Sequence, residues 1–182
     1  MSVLASTSMR IRPAADDDFR DIRAIARKTW HDTYDELDED LIDQTVDDWY
    51  TDDSMPLEAP GTVVLVVEST EQRSADGSRA KPDDDDGEIV GFTHAVVQGD
   101  TADILRMYVD PDRQAAGVGT DLHERLVEQL RVYDVERIRA FDFAFNDTSR
   151  RFYKGLGFER TDVGEVEIAG ECYDEAVYTL EL

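Results

Sequence analysis

Gly117 and Gly119 lie in the segment 104–120, ILRMYVDPDRQAAGVGT, where an apolar run stops at Asp110-Pro111 and a helical pattern then begins. The first amides of a helix have no intrahelical partners and sit at the positive end of its dipole, so an anion placed there accepts their hydrogen bonds. Glycines at that point let a phosphate reach the backbone. They serve a tight turn without any ligand equally well, and taken alone they do not separate the two readings. Two common phosphate motifs do not fit. A P-loop ends in Gly-Lys-Ser/Thr, and here Gly119 is followed by Thr120 with no lysine. A dinucleotide fingerprint has a further glycine where this chain has Leu122. His31, His94 and His123 lack paired ligand spacing, so no metal site is indicated. The aspartates at 83–86 lack the alternating ligands and mid-loop glycine of a calcium loop and read as a solvated run.

The glycine segment needs a strand before it and a helix after it, and the rest of the chain supplies a sheet to carry both. Residues 9–12 alternate apolar and charged types ahead of Pro13, a short first strand. Asp16, Asp17 and Asp18 supply a cap and an acidic first turn for a helix with Phe19, Ile22, Ile25, Ala26 and Trp30 on one face. A second helix carries Leu37, Leu41, Ile42, Val46 and Trp49. Strands at 62–68 and 88–97 form a hairpin, and residues 71–87 between them, with Pro82 and four aspartates, read as a mobile acidic loop. A strand at 102–109, a helix at 117–132, a strand at 137–145, a short helix from Asp147 and two strands paired across Gly170 complete the chain. The order β-α-α-β-β-β-α-β-α-β-β predicts one α/β domain over 1–182, an α+β arrangement with a mixed sheet.

Two motifs give this order a family. Gln114-Ala115-Ala116-Gly117-Val118-Gly119, directly after strand, Asp-Pro and Arg113, resembles the coenzyme A loop of the GNAT superfamily of N-acetyltransferases. The segment 146–158, NDTSRRFYKGLGF, is similar to that family's stretch after its fifth strand, through Asn146, Ser149, Phe152, Tyr153, Gly157 and Phe158. The resemblance implies a sheet splayed between strands 4 and 5, with the pantetheine arm of acetyl-CoA lying in the opening like an added strand. It implies that Met107, Tyr108 and Val109 supply backbone groups to that arm, that Asn146 reaches it, and that the pyrophosphate rests on Gln114, Ala115, Ala116, Gly117, Val118, Gly119 and Thr120. Tyr153 matches the family's general acid, a phenol of pKa about 10 donating to a thiolate of about 8.5. Asp103 matches the carboxylate that some members use as base.

The family often has glycine at the position of Ala115 and a basic residue at that of Ala116, so Arg113, Arg150, Arg151 and Lys154 are expected to face the adenosine phosphates instead. Trp30, Tyr34, Trp49 and Tyr50 either shape an amine pocket or are ordinary core aromatics. The implied activity is direct acetyl transfer from acetyl-CoA to an amine acceptor without a metal. The alternatives are a non-catalytic acyl-CoA-binding or regulatory module, and transfer of a longer acyl chain.

Composition restricts the setting. Of 182 residues, 43 are acidic and 19 basic, a formal charge of −24, yet 41% are hydrophobic, too many for a disordered polyelectrolyte. Aspartates number 28 and lysines only 3, a balance that resembles proteins of halophilic organisms. At ~1 M salt the Debye length is about 3 Å, which screens the self-repulsion. The competing reading is a surface for a cationic partner such as a polyamine, but the acid is spread along the whole chain. The charge argues against nucleic acid as a partner. The longest apolar run, 63–67, is far short of the ~20 residues that cross a bilayer, and Cys172 is the sole cysteine. A cytoplasmic protein without a membrane partner is expected, and a homodimer is left open.

Overall fold

The computed structural model describes residues 7–71, 87–113 and 117–182. Seven strands, β1 (Thr7–Pro13), β2 (Thr62–Glu71), β3 (Glu88–Gln98), β4 (Thr101–Val109), β5 (Arg137–Phe143), β6 (Glu159–Ile168) and β7 (Glu171–Glu181), form one sheet in the order β1-β2-β3-β4-β5-β7-β6. Every neighbouring pair is antiparallel except β4 with β5. Helices α1 (Phe19–Thr33) and α2 (Glu39–Trp49) follow β1, α3 (Val118–Leu130) joins β4 to β5, and α4 (Asp147–Gly155) joins β5 to β6. The element order is the one that the sequence predicts. Among the described residues no helix is long and apolar enough to cross a membrane.

The sheet separates two cores. In β2, Val63, Leu65 and Val67 pack with α3 and α4, while Val64 and Val66 pack with α1 and α2. The unbroken apolar run of this strand follows, because both of its faces are covered. The stripe predicted for α1 is buried throughout: Ile22 and Ala26 are fully enclosed, with Phe19, Ile25 and Trp30 nearly so. A side chain of this size contributes roughly 1.5–3 kcal/mol when it leaves water, so α1 is fixed firmly on the sheet.

Several boundaries differ from the sequence reading, each for a local reason. Asp16–Asp18 form a 3-10 turn, and the Asp18 carboxylate folds back to accept the Ala15 amide (2.8 Å) and the Arg12 guanidinium (2.7 and 2.9 Å). Leu37 is buried ahead of α2, which starts after Asp38 caps it through the Asp40 amide. The third helix ends at Leu130 and passes through a 3-10 turn to Asp134, whose positive φ of 55° stops it. Strand β5 ends at Phe143, where the Asp142 carboxylate accepts the Phe143 amide (2.7 Å). The acidic loop at 72–86 lies outside the described residues.

One irregularity organises the centre of the sheet. In the β3–β4 ladder His94 pairs with Arg106 and Ala95 with Ile104, so Leu105 is an extra residue, a β-bulge. Pairing between β4 and β5 runs from Thr101/Arg137 to Ile104/Ala140 and stops there, at the bulge. Ala102 and Ile104 before the bulge, and Met107 and Val109 after it, belong to the core under α3 and α4; Tyr108 belongs to the other core. The sheet is therefore splayed between its fourth and fifth strands, and the bulge bends β4 where the gap opens.

Candidate active site

The gap holds two cavities. The larger, about 390 Å³, is lined by Met107, Tyr108 and Val109 of β4, by Gly117, Val118, Gly119 and Thr120 at the start of α3, and by Thr29, Thr33 and Tyr34 across from them. Asn146, Thr148, Ser149, Phe152 and Tyr153 close it from the α4 side. The second cavity, about 260 Å³, lies among α1, α2 and the strands β4 to β7. Its walls are Trp30, Tyr34, Trp49, Tyr108, Phe141 and Phe143, with the carboxylates of Asp103, Asp142 and Glu175. Tyr34 and Tyr108 belong to both.

The two helices whose first turns face the larger cavity end differently. α4 is capped from within, since Asn146 Oδ1 accepts the Ser149 amide at 3.1 Å. α3 begins at Gly117, which offers no side-chain cap, so its first amides keep their hydrogen-bonding capacity for a ligand. Each glycine has its own reason to be there. Gly117 has φ of +79°, a left-handed conformation, and a Cβ on it meets nothing within 4 Å. A Cβ on Gly119 meets the Phe152 ring at 2.9 Å. The two sequence motifs thus touch at this point, where Phe152 occupies the space that a side chain at 119 would fill.

Tyr153 is buried, stacked on Tyr178 and edge-on to Phe152 and Phe158. Burial, followed by the nearby Asp142 charge, pushes its phenol far above the ordinary value, so it keeps its proton. Among the described residues its hydroxyl has no hydrogen-bond partner, and the ring lines the larger cavity.

Between the cavities lies a hydrogen-bonded cluster centred on Asp142. Its carboxylate accepts from Tyr34 Oη (2.7 Å), Asn146 Nδ2 (3.2 Å), the Phe143 amide (2.7 Å) and Ser149 Oγ. Asn146 Nδ2 also reaches Ser149 Oγ (2.9 Å) and Tyr34 Oη (3.4 Å). Burial pushes the Asp142 carboxyl up, and the four donors recover only part of that shift. The Tyr34 phenol is raised well above its usual range, first by burial and then by Asp142.

Of the residues expected to bind the coenzyme, Met107, Tyr108, Val109, Gly117, Val118, Gly119, Thr120 and Asn146 line one cavity with Tyr153. The amide of Asn146 is occupied inside the protein, holding α4 and Asp142 in place. Gln114, Ala115 and Ala116 lie outside the described residues. Arg113 and Arg150 do not line the cavity: Arg113 approaches Glu88 at 3.4 Å and Arg150 pairs with Asp147 at 2.7 Å. Asp103 lines the second cavity, and both its oxygens are held at 2.7 Å by Arg139. Sequence reasoning gave Asp142 and Glu175 no role. Asp142 did leave one signal: it continues the every-second-residue series of Ile138 and Ala140, both fully buried, and so is an acid in core phase.

Comparison with known proteins settles the family. The model of the acetyltransferase (GNAT) family matches residues 19–158. The chain belongs to the GNAT family. Its class is accordingly that of an acyltransferase, and a coenzyme-binding module without turnover is not favoured. The PaiA N-acetyltransferase from Thermoplasma acidophilum, solved in complex with coenzyme A, superposes with a TM-score of 0.74 at 18% identity, covering 96% of this chain and 99% of that one. The ribosomal-protein-S18-alanine N-acetyltransferase from Escherichia coli gives 0.61 at 16% identity, with 96% and 94% covered. Arabidopsis thaliana NAA60, solved with a bisubstrate analogue, gives 0.64 at 15% identity over 96% and 99%. At these identities the superpositions establish the GNAT fold. No curated protein sequence matches significantly.

Proposed function

We propose that this GNAT protein moves the acetyl group of acetyl-CoA directly to a primary amine, with the coenzyme in the larger cavity, the amine in the smaller and Asp142 accepting the amine's proton. Two features of the larger cavity support this reading. The uncapped start of α3 suits a phosphate, and past Ile104 β4 has no ladder partner in β5, which suits an extended amide-bearing arm. Met107, Tyr108 and Val109 would hold that arm, and the first amides of α3 would hold the pyrophosphate. Bound acetyl-CoA supplies an acyl group activated as a thioester.

The rest falls to side chains. An ammonium has no lone pair, so it must first lose a proton. A carboxylate whose pKa is raised by burial is a stronger base than one in water and holds that proton better near neutrality. As the C–N bond forms and the C–S bond breaks, Tyr153 gives its phenolic proton to the departing sulfur. The amine releases two protons in all: Asp142 takes the first, and the second replaces the one that Tyr153 has given. Asp103 faces the same cavity, but both of its oxygens are ion-paired with the Arg139 cation. The donors on Asp142 are all neutral and two of them, the Tyr34 and Ser149 hydroxyls, can turn away to admit a proton, so Asp142 is the better placed acceptor.

The observation that carries this reading is the position of the Asp142 cluster in the wall common to both cavities. Asp142→Asn should lower kcat by about 10²–10⁴-fold while acetyl-CoA still binds. Asp142 works only when ionised, so kcat/KM of the native protein should fall as pH drops through its raised pKa, and this acid limb should vanish in Asp142→Asn. Asp103→Asn should keep the limb. Loss of the limb in Asp103→Asn and not in Asp142→Asn would transfer the role to Asp103. The acid-rich, lysine-poor surface favours assay in molar KCl and a halophilic source, and the lone Cys172 is in keeping with a cytoplasmic setting.

A further inference from the structure

The second cavity carries more negative charge than proton transfer requires. Of its three carboxylates, Asp103 is neutralised by Arg139, whose guanidinium also lies over the Phe141 ring at 5.3 Å. Asp142 is held by neutral donors only. Glu175 on β7 stands opposite Phe143 on one side and Gly164 on the other, and its Oε1 extends over Gly164, where a Cβ would come to 3.6 Å. Among the described residues no arginine, lysine or histidine pairs with Glu175. Arg106, the other cation near this wall, is committed to the Trp49 carbonyl (2.7 Å), His94 Nδ1 (3.1 Å) and the face of Tyr50 (4.6 Å). Two carboxylates therefore share an aromatic cavity without a cation of their own.

Building on the acetyl-transfer reading, we infer that the acceptor is an alkyl diamine: its reactive amine meets Asp142, and its distal ammonium is held by Glu175 within the aromatic walls. A single ammonium would satisfy Asp142 and leave Glu175 uncompensated. A second ammonium supplies the missing charge, and the aromatic lining of Trp30, Trp49, Phe141 and Phe143 suits a cation on an alkyl stem. The electrostatics agree, because burial and then the Asp142 charge push the Glu175 carboxyl up, a strain that a bound cation removes. An acceptor with a carboxylate at its far end meets like charge in the same place.

Three acceptors of one chain length test this on the native protein: diaminobutane, butylamine and aminobutyrate, each with acetyl-CoA, followed by thiol release. Diaminobutane should exceed butylamine in kcat/KM by roughly 10- to 100-fold, the size expected of one charge-assisted hydrogen bond in a desolvated site, and aminobutyrate should be the poorest. In Glu175→Gln the ratio of diaminobutane to butylamine should fall to near one. Turnover of butylamine as fast as diaminobutane, or a ratio unchanged in Glu175→Gln, overturns the diamine and leaves acetyl transfer standing. Absence of thiol release with all three amines and with a peptide N-terminus, while the coenzyme binds, overturns both. The comparison of acceptors on the native protein decides the matter even where Glu175→Gln does not fold.

Discussion

The two cavities share Tyr34 and Tyr108 but are built from different material. The larger takes its character from backbone: an uncapped helix start, a strand edge without a ladder partner, and glycines that keep side chains out of the way. The smaller takes its character from side chains contributed by α1, α2 and four strands, namely aromatic rings and carboxylates. A backbone site recognises the part of a ligand that never varies, because the amides are present whatever the sequence. A side-chain site can be altered one residue at a time, which suits the partner that differs between relatives of one fold. In the proposed reaction the chemistry falls at the partition, where a group from each side, Tyr153 and Asp142, would face the reacting atoms.

The strongest test of this division removes one oxygen. Tyr153→Phe should lower kcat by about 10²-fold with the acetyl-CoA Kd changed by less than about twofold, measured by thiol release and by titration. Equal losses in both would mean that the phenol belongs to the binding wall, and the division would break there. A smaller effect is expected at the backbone. Gly119→Ala drives a methyl into the Phe152 ring, and about 1–3 kcal/mol of stability with roughly tenfold weaker acetyl-CoA binding should follow, read by denaturation and titration. Gly117→Ala should show only the conformational penalty of about 1–2 kcal/mol, which Gly117→Asn relieves, since a Cβ there meets nothing within 4 Å and asparagine tolerates the left-handed conformation. The smallest effect concerns charge at the rim. Arg113→Ala with Arg150→Ala should weaken acetyl-CoA binding by about two- to fivefold in dilute salt and less in molar KCl, because these cations are at least partly exposed and have acidic neighbours. Unchanged affinity in dilute salt would sharpen the contrast, leaving the phosphates to the amides alone.

The same contrast explains what could be read in advance. Gly117 with Gly119, and Phe152 with Tyr153, sit close together in the chain because the backbone cavity is built from two short segments and their helices, and short segments leave short motifs. The stripe of α1 and the apolar run of β2 were legible because burial imposes a period. Asp142 and Glu175 were hidden for the opposite reason. Each is one acid among 43, and what singles it out is a neighbour far away in sequence: Tyr34 for Asp142, and the lack of a cation for Glu175. The Asp103–Arg139 pair is of the same kind, a parallel-strand contact that no local pattern announces. The point where strands 4 and 5 part was implied by the family, but its physical cause, an extra residue at Leu105, appears only when the β3–β4 register is counted.

That extra residue also fixes which amino acids can change. Side chains alternate along a strand, so one inserted residue reverses the parity of everything after it. Met107 and Val109 belong to the core under α3 and α4, and Tyr108 to the opposite one, because Leu105 is an extra residue against β3. A substitution at Met107 or Val109 alters one cavity only, and one at Tyr108 alters the wall between the two. An insertion or deletion in β4 would exchange the linings of both cavities at once. The length of this strand therefore constrains the fold more than any one of its side chains does: residues can be exchanged singly, but a change of length moves the frame in which β4 is read.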